Sequence, residues 1–197
     1  MDYIPKNIQS ELARYIQERC SSAESGWEFS NQDEDTITGD FLGNLRTPNW
    51  INKNNFEYRF YYNKFRGRGK GALEKSVGAD GIITFELIEN GEHLYKSFVF
   101  QAKKEGNKTG KEQLEKMEYN FPGGNVIFRY GANGYYIENY GNDNMRICEY
   151  LYNIFLNCKH GIFGVHYDSD NNEIIWKNKR PIKDGKIKHE LLIKVKK

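Results

Sequence analysis

The stretch GADGIITFELIENGEHLYKSFVFQAKK, residues 78–104, decides the reading of this chain. Two apolar runs flank the polar turn Asn90-Gly91. Asn-Gly is the strongest short hairpin signal, because both central positions of the favoured two-residue turn need positive φ. Such a turn sets Glu89 opposite Glu92 and fixes every other pair. Ile82 then faces Val99, Ile83 faces Phe98 and Leu87 faces Leu94, apolar matches that support the register. The same register puts Asp80 opposite Gln101. Side chains alternate along a strand, so Lys103 shares a face with Gln101. A carboxylate, an amide and an ammonium are thus expected to converge at one end of the hairpin.

The flanking segments predict a mixed α/β layout with a central sheet and helices before and after it. Residues 5–20 read as a helix opened by Pro5, with Ile8, Leu12, Tyr15 and Ile16 at helical spacing. Residues 33–45, DEDTITGDFLGNL, read as a second helix with acids in its first turn. Residues 56–65 alternate Phe56, Tyr58, Phe60 and Tyr62 with Glu57, Arg59, Tyr61 and Asn63, the pattern of a strand. A basic Gly-rich loop, RGRGKG, follows before the hairpin. Residues 110–120 predict a short helix burying Leu114 and Met117. Residues 125–130 and 134–140 predict strands joined by GANG. Residues 142–161 predict a helix capped by Asn142 or Asp143 and stopped by Gly161, with Ile147, Leu151, Ile154, Phe155 and Cys158 as its buried stripe. IFGVHY, EIIWK and ELLIKV predict late strands.

The chain has 197 residues, enough for one domain with its own core, and the whole of 1–197 is read as that domain. Hydrophobic residues make up 38% and charged ones 28%, the balance of a soluble globular protein. No run approaches the roughly 18 apolar residues of a membrane span. The N-terminus MDYIPKNIQS lacks the basic and apolar regions of a signal peptide, so a cytoplasmic protein with no membrane contact is the expectation. Cys20, Cys148 and Cys158 are odd in number and lack CxxC spacing, which argues against a disulfide framework or a zinc site. Net charge is only +2, but it is unevenly placed. Residues 1–40 carry nine acids against three bases, and residues 177–197 carry nine bases against two acids. That asymmetry suits a polyanion-binding surface beside an acidic, metal-holding site.

The three converging groups make chemical sense together. A carboxylate holds a hard divalent cation such as Mg²⁺, and an amide oxygen is a neutral second donor. A nearby ammonium orients a water or stabilises charge developing on a phosphate. Metal and lysine beside a basic loop suit phosphodiester hydrolysis.

GAD, a hairpin and then FQAKK resemble the core of the PD-(D/E)xK, or restriction-endonuclease-like, nuclease superfamily in its QxK variant. The resemblance covers roughly residues 30–130 as a pattern of elements, with a hard motif of three residues. It implies a restriction-endonuclease-like α/β core, a central mixed β-sheet flanked by helices, and a Mg²⁺-dependent endonuclease in which Mn²⁺ substitutes. It assigns metal binding to Asp80, Gln101 and the backbone carbonyl of Ala102, and service of the attacking water to Lys103. Gln101 stands where the commoner form has a carboxylate, so a further acid is expected to compensate. The resemblance points to a Glu of an early helix; Glu34 is the first choice, with Asp35 and Asp40 as rivals. Glu74 resembles an upstream acid of related nucleases, and Gln113 a polar residue facing the site.

Double-stranded DNA is the expected substrate, with Arg66, Arg68, Lys70 and Lys104 on its phosphates. By analogy, a homodimer, an activating partner protein and a role in restriction or anti-phage defence come into view. Two other readings stay open: an inactive restriction-like fold kept for DNA or protein binding, and a ribonuclease. GRGKG lacks the spacing of a P-loop, and the four histidines lack metal-ligand spacing.

Overall fold

A computed structural model describes residues 6–53, 56–65, 67, 72–138, 145–156, 162–163, 165–168, 173–176 and 193–194. The predicted segments fold as α1 (Lys6–Ser25), α2 (Trp27–Ser30), α3 (Glu34–Leu45), β1 (Ile51–Lys53), β2 (Phe56–Lys64), α4 (Leu73–Val77), β3 (Gly81–Glu89) and β4 (Glu92–Lys104). They continue as α5 (Lys111–Asn120), β5 (Asn125–Gly131), β6 (Gly134–Ile137), α6 (Ile147–Leu156), β7 (Ile162–Phe163), β8 (Val165–Asp168), β9 (Glu173–Trp176) and β10 (Ile193–Lys194). The sheet runs β1-β2-β3-β4-β5-β6, with β7 on the part of β4 that β5 leaves free, and β10-β9-β8 forms a separate small sheet. All pairs in the main sheet are antiparallel except β4 with β5, so the sheet is mixed. The α/β class and the helix-flanked mixed sheet therefore stand as expected.

The hairpin keeps the predicted register. Asn90 has φ 52° and Gly91 φ 79°, and Glu89 pairs with Glu92, Ile82 with Val99 and Ile83 with Phe98. Alternation then gives the sheet two faces. Phe60, Phe85, Phe98, Phe100 and Phe128 pack on one side with Ile8, Leu12 and Ile16 of α1, Phe41 and Leu42 of α3, and Leu151 and Ile154 of α6. On the other side Ile82, Val99 and Ile127 pack with Val77 of α4 and with Met117 and Phe121 of α5. Each fully buried Phe or Leu contributes about 1.5–3 kcal/mol, so these two layers anchor the hairpin between them.

Several elements depart from the sequence expectation. α1 runs on to Ser25, five residues past the expected end, because Cys20 and Ala23 extend its buried stripe. The short helices α2 and α4 were not foreseen. α6 begins at Ile147 rather than near Asn142, since Met145 and Arg146 pair with β6 instead: Ile137 N–H donates to the Met145 carbonyl at 3.0 Å and Tyr136 bridges Arg146. Ile147, Leu151 and Ile154 are buried as expected, whereas the proposed caps Asn142 and Asp143, the Phe155 side chain, Cys158 and Gly161 lie outside the described residues. Lys96, in the middle of β4, is fully buried and donates to the Ile154 carbonyl in the last turn of α6. A cation there answers the negative end of the helix.

Candidate metal centre

Two glycines explain why Asp80 can sit where it does. Gly78 ends α4 at φ 82°, and a Cβ there would come within 2.5 Å of the Gln113 carbonyl and 2.8 Å of Lys116 Cβ. Glycine thus lets α5 close down on the chain just before Asp80. Gly81 is hemmed in likewise: a Cβ would meet the Asn63 carbonyl at 2.5 Å and the Phe100 ring at 2.8 Å. Between them, Asp80 N–H donates to the Phe100 carbonyl at 2.8 Å and Phe65 N–H donates to the Asp80 carbonyl at 2.7 Å. Backbone pairing on both sides fixes the aspartate at the end of the hairpin.

The side chain turns across the strand pair. Gln101 Nε2 donates to Asp80 Oδ1 at 2.5 Å, and Ala102 N–H donates to Asp80 Oδ2 at 2.7 Å. Gln101 is 1% exposed, and its other polar atom, Oε1, is buried with no hydrogen-bond partner among the described residues. Burial pushes the Asp80 carboxyl up to about 6. The Ala102 N–H and the Lys103 ammonium hold it down against that, while the charges of Glu74 and Glu34 push it further up. A half-buried carboxylate with a raised pKa, beside an amide oxygen with no partner among the described residues, is the arrangement a cation would relieve.

Lys103 reaches the N-terminus of α3. Its Nζ donates to Glu34 Oε1 at 2.8 Å, with the lysine side chain 14% and the glutamate 28% exposed. Glu34 Oε2 accepts from Lys104 N–H at 3.0 Å and from Asn107 Nδ2 at 3.3 Å. α3 starts here because Asp33 caps it, taking Thr36 N–H at 2.8 Å. The acids behind that cap then diverge. Asp35 takes Lys64 Nζ at 2.5 Å, and Lys64 lies in register with Gly81. Asp40 Oδ1 takes Asn44 Nδ2 at 3.3 Å on its own helix. Of the three candidate acids, Glu34 is the one joined to the QxK strand, and it joins through Lys103.

Glu74 lies on α4, close enough for its charge to act on Asp80. Gln113 turns its side chain back along α5, where Oε1 accepts from Gly110 N–H at 3.3 Å and helps cap the helix. Lys104 Nζ donates to the Asn31 carbonyl. Arg66, Arg68 and Lys70 lie outside the described residues. The sequence reading missed Asn31, Lys64, Asn107 and Arg129, the last in register with Lys103 on β5. Nothing in one sequence fixes a parallel register or brings a turn against a helix N-terminus.

Among the described residues, no three His, Cys, Asp or Glu side chains converge as a metal-binding group. What the hairpin end offers instead is the Asp80 carboxylate and the buried amide oxygen of Gln101. Those are hard oxygen donors of the kind Mg²⁺ takes while keeping several waters, so the residues fit that ion. No family model matches the chain, and no curated protein or solved structure matches it. Among the described residues, no helix is long and apolar enough to cross a membrane.

Proposed function

We propose that the chain is a Mg²⁺-dependent endonuclease with a restriction-endonuclease-like core, and that it hydrolyses phosphodiester bonds in double-stranded DNA. The observation that carries this reading is the buried Gln101 Oε1, without a partner among the described residues, next to the Asp80 carboxylate, with the Lys103 ammonium held close by. Asp80, Gln101 and the Ala102 carbonyl are the groups that would hold the ion. When bound, Mg²⁺ supplies positive charge to the scissile phosphate and makes a water more acidic. Lys103 presents N–H donors to a water or to a phosphate oxygen, and Glu34 holds the ammonium in place. Burial of Gln101 and part-burial of Asp80 limit competing water and strengthen each of these interactions. Lys104, with Arg66, Arg68 and Lys70, is assigned to the DNA backbone, and a homodimer is the arrangement that would cut both strands.

The test is cleavage of supercoiled plasmid with Mg²⁺ or Mn²⁺ by the wild type, Asp80→Ala and Lys103→Ala. Loss of cleavage in both variants is expected; cleavage unchanged in both removes the mechanism. One observation favours a second reading. With no third acid gathered among the described residues, the same fold can serve as a non-catalytic nucleic-acid-binding module. DNA retention without cleavage, unaffected by Asp80→Ala, would select it.

A further inference from the structure

The four residues from Lys104, the last of β4, to Asn107 form a turn tied at several points. Asn107 N–H donates to the Lys104 carbonyl at 3.0 Å, and Gly106 between them has φ 87°, the geometry of a turn that needs glycine at its third position. Glu105 N–H donates to the Tyr130 carbonyl at 2.8 Å, which docks the turn on β5. Arg129, one residue earlier on β5, is 8% exposed. A guanidinium that buried needs charge and acceptors around it. Glu138 Oε2 supplies the charge, taking Arg129 Nε at 3.0 Å and Arg129 Nη2 at 2.7 Å. Arg129 Nη1 donates to the Asn107 carbonyl.

Asn107 is therefore pinned through its backbone by a buried cation, while its exposed side chain donates to Glu34 Oε2. The other oxygen of Glu34 holds Lys103. The bonds run without a gap from Glu138 through Arg129, Asn107 and Glu34 to Lys103. We infer that Asn107, fixed by Arg129, is a positioning residue: it orients the Glu34 carboxylate and thereby sets where the Lys103 ammonium points. The catalytic meaning of that orientation rests on the nuclease reading, but the positioning does not.

Two readouts separate the two claims. In metal-free protein, acetylation of Lys103 by an amine-reactive ester is followed by mass spectrometry. Asn107→Ala removes one hydrogen bond from an exposed turn, so the fold survives and Lys103 labelling should quicken by about three- to ten-fold. Arg129→Ala should do the same while lowering the melting temperature, and Arg129→Lys should restore part of the wild-type rate. In plasmid cleavage, Asn107→Ala should lower kcat by a similar factor with KM changed less than about two-fold. Lys103 labelling in Asn107→Ala equal to that of the wild type overturns the inference, whatever the activity. A labelling change in protein that cleaves no nucleic acid leaves the positioning intact and sinks the nuclease reading.

Discussion

Asp80 and Gln101 face each other across the end of the β3–β4 hairpin: Gln101 Nε2 donates to the carboxylate at 2.5 Å while Oε1 stays buried without a partner among the described residues. An unmet buried acceptor costs about 1–3 kcal/mol, which a ligand reaching Oε1 would relieve. Under the proposed function, the pair supplies two of the oxygens that would hold Mg²⁺.

The first consequence concerns Asp80→Asn. The asparagine Oδ1 can accept from Ala102 N–H, and its Nδ2 can donate to Gln101 Oε1 once the glutamine amide turns over. Asp80 is raised from 3.8 to about 6 in the fold. The folded state therefore holds this proton more tightly than the unfolded chain, and the stability it contributes is present below about pH 4 and lost as pH rises through 6. That loss amounts to about 3 kcal/mol, from roughly two pKa units. Urea unfolding should show the wild type losing stability from pH 4 to 7 by this route, and Asp80→Asn should be the more stable protein at pH 7.

Divalent binding should show the matching proton competition. An ion needs the ionised carboxylate, so Mn²⁺ affinity in titration calorimetry should fall steeply, approaching ten-fold per pH unit, below about pH 6. Affinity flat from pH 5 to 8 would dissociate Asp80 from the ion.

Gln101→Glu restores the carboxylate of the commoner motif and sets two acids in hydrogen-bond contact. Both cannot ionise in a buried site without an ion between them. The metal-free variant should be less stable at pH 7 by about 1–3 kcal/mol. Mg²⁺ should then raise its melting temperature by more than it raises that of the wild type.

Lys103→Met removes the ammonium and leaves Glu34 with its two N–H donors from Lys104 and Asn107. The melting temperature should move by only a few degrees, as for a partly exposed ion pair worth about 1 kcal/mol. Cleavage should fall by about 100-fold or more, the usual scale for a group that handles a proton or orients water.

How much of this was legible follows from which interactions are local. The hairpin register was readable because Asn90-Gly91 admits one turn geometry and the apolar pairs agree with it. The acids of 33–35 announced a helix start because Asp33 caps its own helix within three residues. Glu34 was preferred over Asp35 and Asp40 because the resemblance points to a Glu of an early helix; its engagement with Lys103 spans 69 residues and no local rule reaches that far. The helix α4 was missed because its five residues carry too little pattern. Lys96 would be placed in solvent by any reading of polarity; it is buried because α6 returns to lay its last turn over the strand. Arg129 and Asn107 were invisible for the same reason: the parallel register of β4 and β5 is set by α5 and the turn before it, not by alternation within either strand.

The central claim meets its most direct test in a crystal of the protein soaked in Mn²⁺ and measured at the manganese absorption edge. An anomalous peak within about 2.2 Å of an Asp80 oxygen, with Gln101 Oε1 and the Ala102 carbonyl also in contact, is the predicted result. A well-ordered site with no peak there, Gln101 Oε1 still without a partner, would contradict it.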